Sequence, residues 1–204
     1  MRPRLVLATA NPDKARELAA LLDGFDVVPR PAGLPEVEET EDTLEGNARL
    51  KAVAVMKATG EPVVADDTGL EVEALGGRPG VYAARYAGPG ATYADNVAKL
   101  LDELADVPAE ARTARFRTVA VARFPDGREI VADGWVRGTI ALAPAGAGGF
   151  GYDPIFVPAG GDGRTFAQMT QDEKAAVSHR GRALRALAAQ LQSSGIPLRG
   201  PLGP

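Results

Sequence analysis

Near its N-terminus the chain carries LVLATANPDKARELAALL (residues 5–22), a short apolar run followed by a polar loop and a segment with helical spacing. The leucines of the second half recur at the three- and four-residue intervals of one helix face. Asn11 suits the N-cap of this helix and Pro12 its first position, where a missing N–H costs nothing. The segment predicts a strand, a loop and a helix in succession.

The same alternation continues along the first half of the chain. Asp42 and Glu45 resemble a capping box that opens a helix ending at Gly60. Residues 62–65 then predict a second buried strand. A further helix is expected to open at Thr92 and Asp95, with an apolar stripe of Val97, Leu100, Leu101 and Leu104.

The second half begins with a hairpin pattern. Residues 115–124 and 129–136 predict two strands, joined by the turn residues Pro-Asp-Gly at 125–127. A short strand is expected at 155–157, and an apolar stripe over 184–191 predicts the final helix. Helices that alternate with strands, followed by a hairpin, indicate an α/β fold with a mixed sheet.

Length and composition indicate one globular domain. The chain has 204 residues, of which 45% are hydrophobic and 25% charged. No run approaches the roughly 20 apolar residues of a membrane span. Residues 1–4 lead directly into a strand without the features of a secretory signal, so a cytoplasmic protein is expected. The final helix should stop at Gly195, and residues 196–204, rich in Pro and Gly, should be frayed.

Residue counts exclude several kinds of site. The chain has no cysteine and one histidine, which excludes disulfides, thiolate nucleophiles, iron–sulfur clusters and multi-histidine metal sites. The net charge of −4 argues against a broad nucleic-acid-binding surface. A polyanionic ligand must therefore be held locally, in a small pocket where a few cations and Mg²⁺ neutralise it.

The loop at residues 9–14 is the first candidate site. A loop between the end of a strand and the start of a helix presents backbone N–H groups and the positive end of the helix dipole, which suits phosphate. Lys14 adds a formal charge. The alternative is a capped helix start with a solvated lysine. The glycines of a Walker A or Rossmann loop are absent.

Two adjacent carboxylates form the second candidate, in the segment ADDTG at 65–69. Buried neighbouring carboxylates repel each other unless a cation lies between them. In a strand Asp66 and Asp67 point in opposite directions, so one of them is expected to serve a given site. A hard divalent cation matches these oxygen ligands. A turn in which Asp66 caps local backbone is the alternative.

An acidic cluster precedes the second predicted helix. One of these carboxylates could complete the shell of a Mg²⁺ ion, although most acidic runs are solvated surfaces. The cluster comprises Glu36, Glu38, Glu39, Glu41, Asp42 and Glu45.

Two later segments could recognise a nucleotide base. Glycines at 146–151 allow close backbone approach, Phe150 can stack on a base, and Asp153 can accept from base N–H groups. The basic cluster of Lys174, His179 and Arg180 can donate to a carbonyl or phosphate. The alternatives are a core corner and a helix-capping Ser178 beside two exposed basic residues.

The order of these motifs closely resembles that of the inosine triphosphate pyrophosphatase family, which is also called HAM1-like and includes the dITP/XTP pyrophosphatases. The resemblance spans about residues 4–192, and its most specific blocks are GGFGYDPIF and SHRG. The matching segments are T-x-N-x-x-K at 9–14, EET at 38–40, E-x-N-A at 45–48, ADDTGL at 65–70, ARY at 84–86, GGFGYDPIF at 148–156 and SHRG at 178–181.

This resemblance implies a homodimer with an elongated mixed sheet flanked by helices. Residues 1–195 would form one domain of two lobes with a nucleotide cleft between them. The implied reaction is hydrolysis of noncanonical purine nucleoside triphosphates (ITP, dITP and XTP) to monophosphate and pyrophosphate, with Mg²⁺ as cofactor. No nucleic-acid or membrane partner is implied.

The resemblance also assigns roles to residues. Asp67 would be the general base and a metal ligand, with Glu38 as a second Mg²⁺ contact, for which Glu36 or Glu39 could substitute. Phe150 would stack on the base. The residues assigned to the substrate are Thr9, Ala10, Asn11, Pro12, Asp13, Lys14, Thr68, Phe150, Gly151, Tyr152, Asp153, Lys174, His179 and Arg180. Ala10, Asp13 and Glu41 replace glycines of the family pattern.

Two other functions compete with this hypothesis. A Maf-type nucleotide pyrophosphatase would have a different base preference, which a substrate panel would reveal. A nonhydrolytic nucleotide sensor would bind triphosphates as a signal, but it would gain nothing from a base such as Asp67 beside the phosphates.

Overall fold

The computed structural model describes residues 2–194, which form an α/β fold with one mixed β-sheet. Its strands and α-helices are β1 (Arg4–Leu7), α1 (Pro12–Leu21), β2 (Asp26–Val28), α2 (Leu44–Thr59), β3 (Val63–Val72), β4 (Pro79–Gly80), α3 (Tyr93–Glu103), β5 (Thr113–Arg123), β6 (Glu129–Ile140), β7 (Phe156–Pro158), α4 (Gln171–Val177) and α5 (His179–Ser193).

The sheet has the strand order β2-β1-β3-β5-β6-β7, with β4 paired to β3 beside this path. Strand β1 runs parallel to both β2 and β3, with Val6 opposite Val28 on one side and Val63 on the other. The β3–β4 and β6–β7 pairs are antiparallel. The predicted α/β class with a mixed sheet is therefore confirmed.

The described residues form two compact units, and the chain passes between them several times. The first unit comprises residues 2–67, 118–134 and 182–194. Its core packs apolar residues of β1, α1 and the middle of β5 against the apolar stripe of α5, represented by Leu5, Leu18 and Leu187. All three side chains are fully buried.

The second unit comprises residues 68–117 and 135–181. Its core combines the end of β3 with α3, β7 and three phenylalanines, Phe116, Phe156 and Phe166. The rings of Phe116 and Phe156 lie 4.7 Å apart between centroids, a normal separation for a tilted aromatic pair.

Several local predictions are confirmed. The Asn11 side chain caps α1 and Pro12 is its first residue. Helix α3 opens with a capping box of Thr92 and Asp95. Helix α2 ends at Gly60, which has the left-handed φ of 68° that glycine adopts without strain.

The hairpin is also confirmed, because β5 and β6 are sheet neighbours joined by a tight turn at 124–128. Strand β6 continues to Ile140, four residues beyond the prediction. The predicted helix stop at Gly195 and the tail 196–204 lie outside the described residues. Among residues 2–194, no helix is long and apolar enough to cross a membrane.

Two boundary predictions are wrong. The N-cap of α2 is Thr43, whose hydroxyl accepts from the Gly46 N–H, rather than Asp42 in a capping box with Glu45. Strand β3 does not end at Ala65 but continues to Val72, so Asp66 and Asp67 lie inside a buried strand. A lysine forms an ion pair with each carboxylate, Lys14 with Asp66 and Lys51 with Asp67. Buried carboxylates are tolerated inside a strand when they are paired with cations in this way.

Candidate functional site

The loop between β1 and α1 is held by its own side chains. Asn11 Oδ1 accepts from the Asp13 N–H at 2.9 Å and from the Lys14 N–H at 3.3 Å. The Asn11 N–H donates to Thr9 Oγ1 at 3.1 Å. Asp13 forms an ion pair with Arg16. The loop is thus preformed, and two first-turn N–H groups of α1 are occupied by Asn11.

Lys14 is not a solvated lysine. Its side chain is 18% exposed, and its Nζ lies 3.5 Å from Oδ2 of the buried Asp66. The other predicted residues of this loop, Ala10 and Pro12, are exposed. The loop therefore presents a short open segment next to a fixed cation.

Asp67 faces a different lysine. Its Oδ1 accepts from Lys51 Nζ at 2.9 Å, and the same nitrogen donates to Glu39 Oε1 at 3.0 Å. Asp66 and Asp67 are both buried, with separate lysine partners, as the alternation of a strand requires. The structure thus brings Lys14, Asp66, Asp67, Lys51 and Glu39 into one charged cluster in the first unit, here called the carboxylate cluster.

Lys51 was missed in the sequence analysis, although a signal was present. It lies on α2 within the stripe of buried residues Ala48, Ala52 and Val55, at the spacing of one helix face. A lysine in the apolar stripe of a helix requires a buried partner, because an unpaired buried ammonium is costly. Asp67 is that partner.

The charges of the carboxylate cluster shift the protonation of its members. Burial raises the pKa of Asp67 above its ordinary value of 3.8, and the nearby Lys51 and Lys14 offset this only in part. Burial acts to lower the pKa of Lys51, but the carboxylates of Asp67, Asp66 and Glu39 outweigh it and raise that pKa. The cluster pairs a firmly protonated lysine with a carboxylate more basic than usual.

Glu39, not Glu38, is the glutamate that the structure brings to Asp67. Glu38 and Glu36 are exposed, whereas Glu39 is half-buried and shares Lys51 with Asp67. The loop is held to α2 by the buried Asn47, whose side chain bonds both the N–H and the C=O of Glu41. This attachment fixes the acidic loop beside β3.

The second unit carries the aromatic and basic candidates. Phe150 is half-buried, with Lys174 Nζ 4.8 Å and Arg180 Cζ 5.4 Å from its ring centroid. The Tyr93 ring lies 5.8 Å from the Phe150 ring at an angle of 39°. Arg180 also donates to Thr68 Oγ1 at 3.2 Å. These five residues are called the aromatic cluster below.

Asp153 lies beneath the glycine-rich loop. Its Oδ2 accepts from Lys174 Nζ at 2.6 Å and from the Phe150 N–H at 2.8 Å, and the residue is 3% exposed. A Cβ on Gly149 would come within 2.1 Å of the same oxygen. Asp153 therefore fixes Phe150 and Lys174, and its contact with a base remains a prediction.

The remaining predicted residues of the second unit differ in their surroundings. The Tyr152 hydroxyl donates to the Ala83 carbonyl inside the core, while Gly151 is half-buried with a φ of 61°. His179 is 3% exposed and its ring stacks on Phe116 at 4.4 Å. Ser178 accepts from the Gly181 N–H at the start of α5. The alternative with two exposed basic residues is therefore wrong, since His179 and Arg180 are both buried.

A family model and two relatives show what this chain is similar to. The Ham1 family model matches residues 5–190. A dITP/XTP pyrophosphatase of Nitratidesulfovibrio vulgaris is 55% identical over 196 residues, covering 90% of this chain and 93% of the relative. Another, from Symbiobacterium thermophilum, is 52% identical over 183 residues, covering 89% and 91% respectively.

A solved structure gives the same result for the fold. The Ham1 protein of Staphylococcus aureus is 39% identical and covers 94% of this chain and 99% of its own, with a TM-score of 0.82. The resemblance inferred from the motifs is confirmed over most of the chain. This chain belongs to the Ham1 family.

Proposed function

We propose that the chain hydrolyses noncanonical purine nucleoside triphosphates, namely ITP, dITP and XTP, to the monophosphate and pyrophosphate. Two relatives that are about half identical over most of the chain carry the name dITP/XTP pyrophosphatase. The observation that supports this chemistry best is Asp67. Its Oδ2 is buried without a hydrogen-bond partner among the described residues, on a carboxylate whose pKa burial raises.

Asp67 is suited to activate water. Oδ1 is held by Lys51, which fixes the carboxylate, while Oδ2 is left to accept a proton. In the proposed step the water oxygen attacks the α-phosphorus, its proton passes to Asp67, and the bond to the β-phosphate oxygen breaks to release pyrophosphate. A carboxylate with a raised pKa accepts this proton better than an ordinary one.

Lys14 and Lys51 supply fixed positive charge near that reaction. Both have mostly buried side chains, 18% and 13% exposed, so their charges are weakly screened. Lys14 stands at the start of α1, whose dipole also favours anions. We propose that the loop at residues 9–14 holds the phosphates through the Lys14 ammonium, the Thr9 hydroxyl and the Asn11 amide, while Pro12, which has no N–H, only lines the loop.

The donor set fits Mg²⁺ as a cofactor. Carboxylate oxygens of Asp67 and Glu39 lie 2.9 and 3.0 Å from the same lysine nitrogen, so the two side chains are close together, and Asp67 Oδ2 has no hydrogen-bond partner among the described residues. Residues 2–194 contain no cluster of three or more acidic, histidine or cysteine side chains placed to hold a metal. The proposal therefore rests on these two carboxylates, since Mg²⁺ usually takes one or two carboxylates and completes its shell with water and phosphate oxygens.

We therefore propose Asp67 and Glu39 as the Mg²⁺ ligands, with Glu38 as the weaker candidate. Bound Mg²⁺ supplies charge neutralisation of the phosphate oxygens. Lys51 keeps both carboxylates in place before the ion binds.

The aromatic cluster suits the base. Phe150 offers a ring for stacking, and Lys174 and Arg180 provide donors that Asp153 and Thr68 hold in place. Donors favour the 6-keto oxygen of hypoxanthine and xanthine, whereas the 6-amino group of adenine would face them donor to donor. His179 stands one residue before Arg180 but is stacked in the core, so its contact with the base remains a proposal.

Replacing Asp67 tests the proposed chemistry. Asp67→Asn keeps the shape of the side chain and removes the base, so pyrophosphate release from ITP should fall at least about 100-fold. Asp23→Asn is the matched control, because Asp23 has an 87% exposed side chain. Near-normal turnover in a folded Asp67→Asn protein would remove Asp67 from catalysis.

A homodimer and a cytoplasmic location complete the proposal and rest on the family resemblance and the sequence. Twofold dimers are the commonest oligomers. Light scattering that gives the monomer mass of 21.2 kDa would contradict the dimer.

A further inference from the structure

Tyr93 belongs to the aromatic cluster but has no part in the function proposed above. It is the first residue of α3 and is 40% exposed, although its ring lies 5.8 Å from Phe150. Isolated exposed aromatic residues need no explanation. Tyr93 is different because it borders a half-buried ring that is proposed to stack on a base.

The backbone under Tyr93 is held firmly. Thr92 and Asp95 form a capping box, with the Thr92 N–H donating to Asp95 Oδ2 at 2.8 Å. The buried Asn96 bonds the Ala87 N–H and the Ala84 carbonyl through its side chain. Farther along α3, Leu100 is fully buried in the core of the second unit. Tyr93 therefore projects from a fixed helix start.

The two cations next to the Phe150 ring are buried. Lys174 is 6% exposed and Arg180 is 2% exposed, and each is fixed by a side-chain hydrogen bond, to Asp153 and Thr68 respectively. Tyr93 is the exposed member of the cluster. The Tyr93 ring, 5.8 Å from the Phe150 ring between centroids, is thus the part of the aromatic cluster that is exposed to solvent.

We infer that Tyr93 is a specificity-determining residue that contacts the base of the bound nucleotide as a second aromatic wall beside Phe150. The inference rests on the proposed function and extends it. Because the Tyr93 ring centroid lies only 5.8 Å from that of Phe150, a planar base stacked on Phe150 is within reach of the Tyr93 ring. The contact needs the aromatic ring of Tyr93 and not its hydroxyl, and it should favour bicyclic purines over pyrimidines.

Single variants provide the first test. Tyr93→Ala should raise the KM for ITP about fivefold or more while kcat changes less than about twofold, the lower part of the range for loss of one base–aromatic contact. Tyr93→Phe should behave like the wild type. The competitive Ki of inorganic tripolyphosphate should be unchanged in Tyr93→Ala, because that probe has no base. Tyr82→Ala is the matched control, since Tyr82 is 50% exposed in the same unit and its ring lies over Arg85.

A double-mutant cycle separates contact with the base from support of Phe150. Calorimetry would give the Kd for the product IMP in wild type, Tyr93→Ala, Phe150→Leu and the double variant. If Tyr93 touches the base, Tyr93→Ala weakens IMP binding in the Phe150→Leu background as well. If Tyr93→Ala no longer weakens IMP binding in the Phe150→Leu background, Tyr93 acts only by supporting Phe150, and the inference is wrong.

Other results have equally definite meanings. An unchanged KM for ITP in Tyr93→Ala, or a tripolyphosphate Ki that rises in parallel with KM, overturns the inference alone. A wild-type protein that releases no pyrophosphate from ITP overturns the proposed function together with it.

Discussion

Asp66 and Asp67 are neighbours in sequence but have different surroundings. Asp66 lies beside Lys14, whereas Asp67 lies beside Lys51 and Glu39. The alternation of β3 separates the two carboxylates, so each can be buried next to its own cation. Asp67 Oδ1 accepts from Lys51 at 2.9 Å, and its Oδ2 is buried with no hydrogen-bond partner among the described residues. The raised pKa of this carboxylate supports it as the proposed base.

The raised pKa of Asp67 predicts a pH-dependent stability. The folded protein binds the Asp67 proton more tightly than the unfolded chain does. Its contribution to stability is therefore complete below pH 3.8, the ordinary pKa of the group, and is lost as the pH rises through the raised pKa of the folded state. The difference in unfolding free energy between wild type and Asp67→Asn should therefore fall from about pH 4 towards pH 7, by about 1.4 kcal/mol for each unit of pKa elevation.

Urea unfolding of the two proteins in the presence of a chelator would measure this difference. The pKa of Lys51 is raised from 10.5, so that group keeps its proton throughout this range and does not affect the slope. A difference that stays constant or grows with pH would contradict the assignment of a raised pKa to Asp67.

Arg180 provides a prediction about selectivity. It is buried beside Phe150 and bonds Thr68, so Arg180→Ala should reduce kcat/KM for ITP much more than the residual activity on ATP. Loss of one donor to the 6-keto oxygen should reduce the ratio of kcat/KM for ITP to kcat/KM for ATP by roughly 5- to 150-fold. Arg182→Ala, an exposed arginine on the same helix, is the control. Equal losses on both nucleotides would make Arg180 a phosphate ligand.

At the scale of elements, the glycine-rich loop depends on the space above Asp153. Gly149 and Gly151 have similar φ values of 67° and 61°, but only at Gly149 would a Cβ collide with the Asp153 carboxylate. The loop can therefore approach the carboxylate closely enough for the Phe150 N–H to donate to it.

A pair of alanine variants tests this close approach. Gly149→Ala and Gly151→Ala both place a Cβ on a backbone in the left-handed region, which should lower the free energy of unfolding by about 1 to 2 kcal/mol each. Gly149→Ala should lose about 1 to 3 kcal/mol more in unfolding free energy, because Asp153 must give up a hydrogen bond in a buried position. Urea unfolding measures the free energy of unfolding of each variant. Equal losses of stability in Gly149→Ala and Gly151→Ala would show that the loop does not depend on its close approach to Asp153.

Elements with local signals were predictable from sequence, whereas those that depend on distant residues were not. Asn11 and Pro12 mark the start of α1 without reference to the rest of the chain. The continuation of β3 through Asp66 and Asp67 buries two carboxylates, and the lysines that lie beside them, Lys14 and Lys51, come from other elements. Strands β2 and β4, of three and two residues, were not predicted because their pairing with longer strands defines them.

In the candidate site, too, residues within recognisable motifs were predictable from sequence, whereas those defined by contacts with distant residues were not. The motifs identified Asp67, Phe150 and Arg180, but adjacent glutamates look alike in sequence, and it is the contact with Lys51 that favours Glu39 over Glu38. Tyr93 has no distinguishing sequence context, and its relation to Phe150 depends on the packing of the second unit.

At the scale of the whole molecule, the arrangement of charge agrees with a polyanionic substrate held locally. The chain carries a net charge of −4, yet each unit holds mostly buried cations beside its candidate residues. These are Lys14 and Lys51 in the first unit, and Lys174 and Arg180 in the second. Because these cations are buried within each unit and not spread over the exterior, they do not create a broad basic surface.

The central claim is that the chain releases pyrophosphate selectively from noncanonical purine triphosphates with the help of Mg²⁺. The most direct measurement is pyrophosphate release from ITP, XTP, ATP and GTP, each with Mg²⁺ and with a chelator. We expect rapid release from ITP and XTP with Mg²⁺, little from ATP, whose 6-amino group would face the donors, and a loss of release on removal of the ion. Guanine shares the 6-keto group, so low release from GTP would require discrimination at its 2-amino group. Equal release from all four nucleotides would contradict the selectivity, release of orthophosphate instead of pyrophosphate would contradict attack at the α-phosphorus, and no turnover at all would favour a nucleotide sensor.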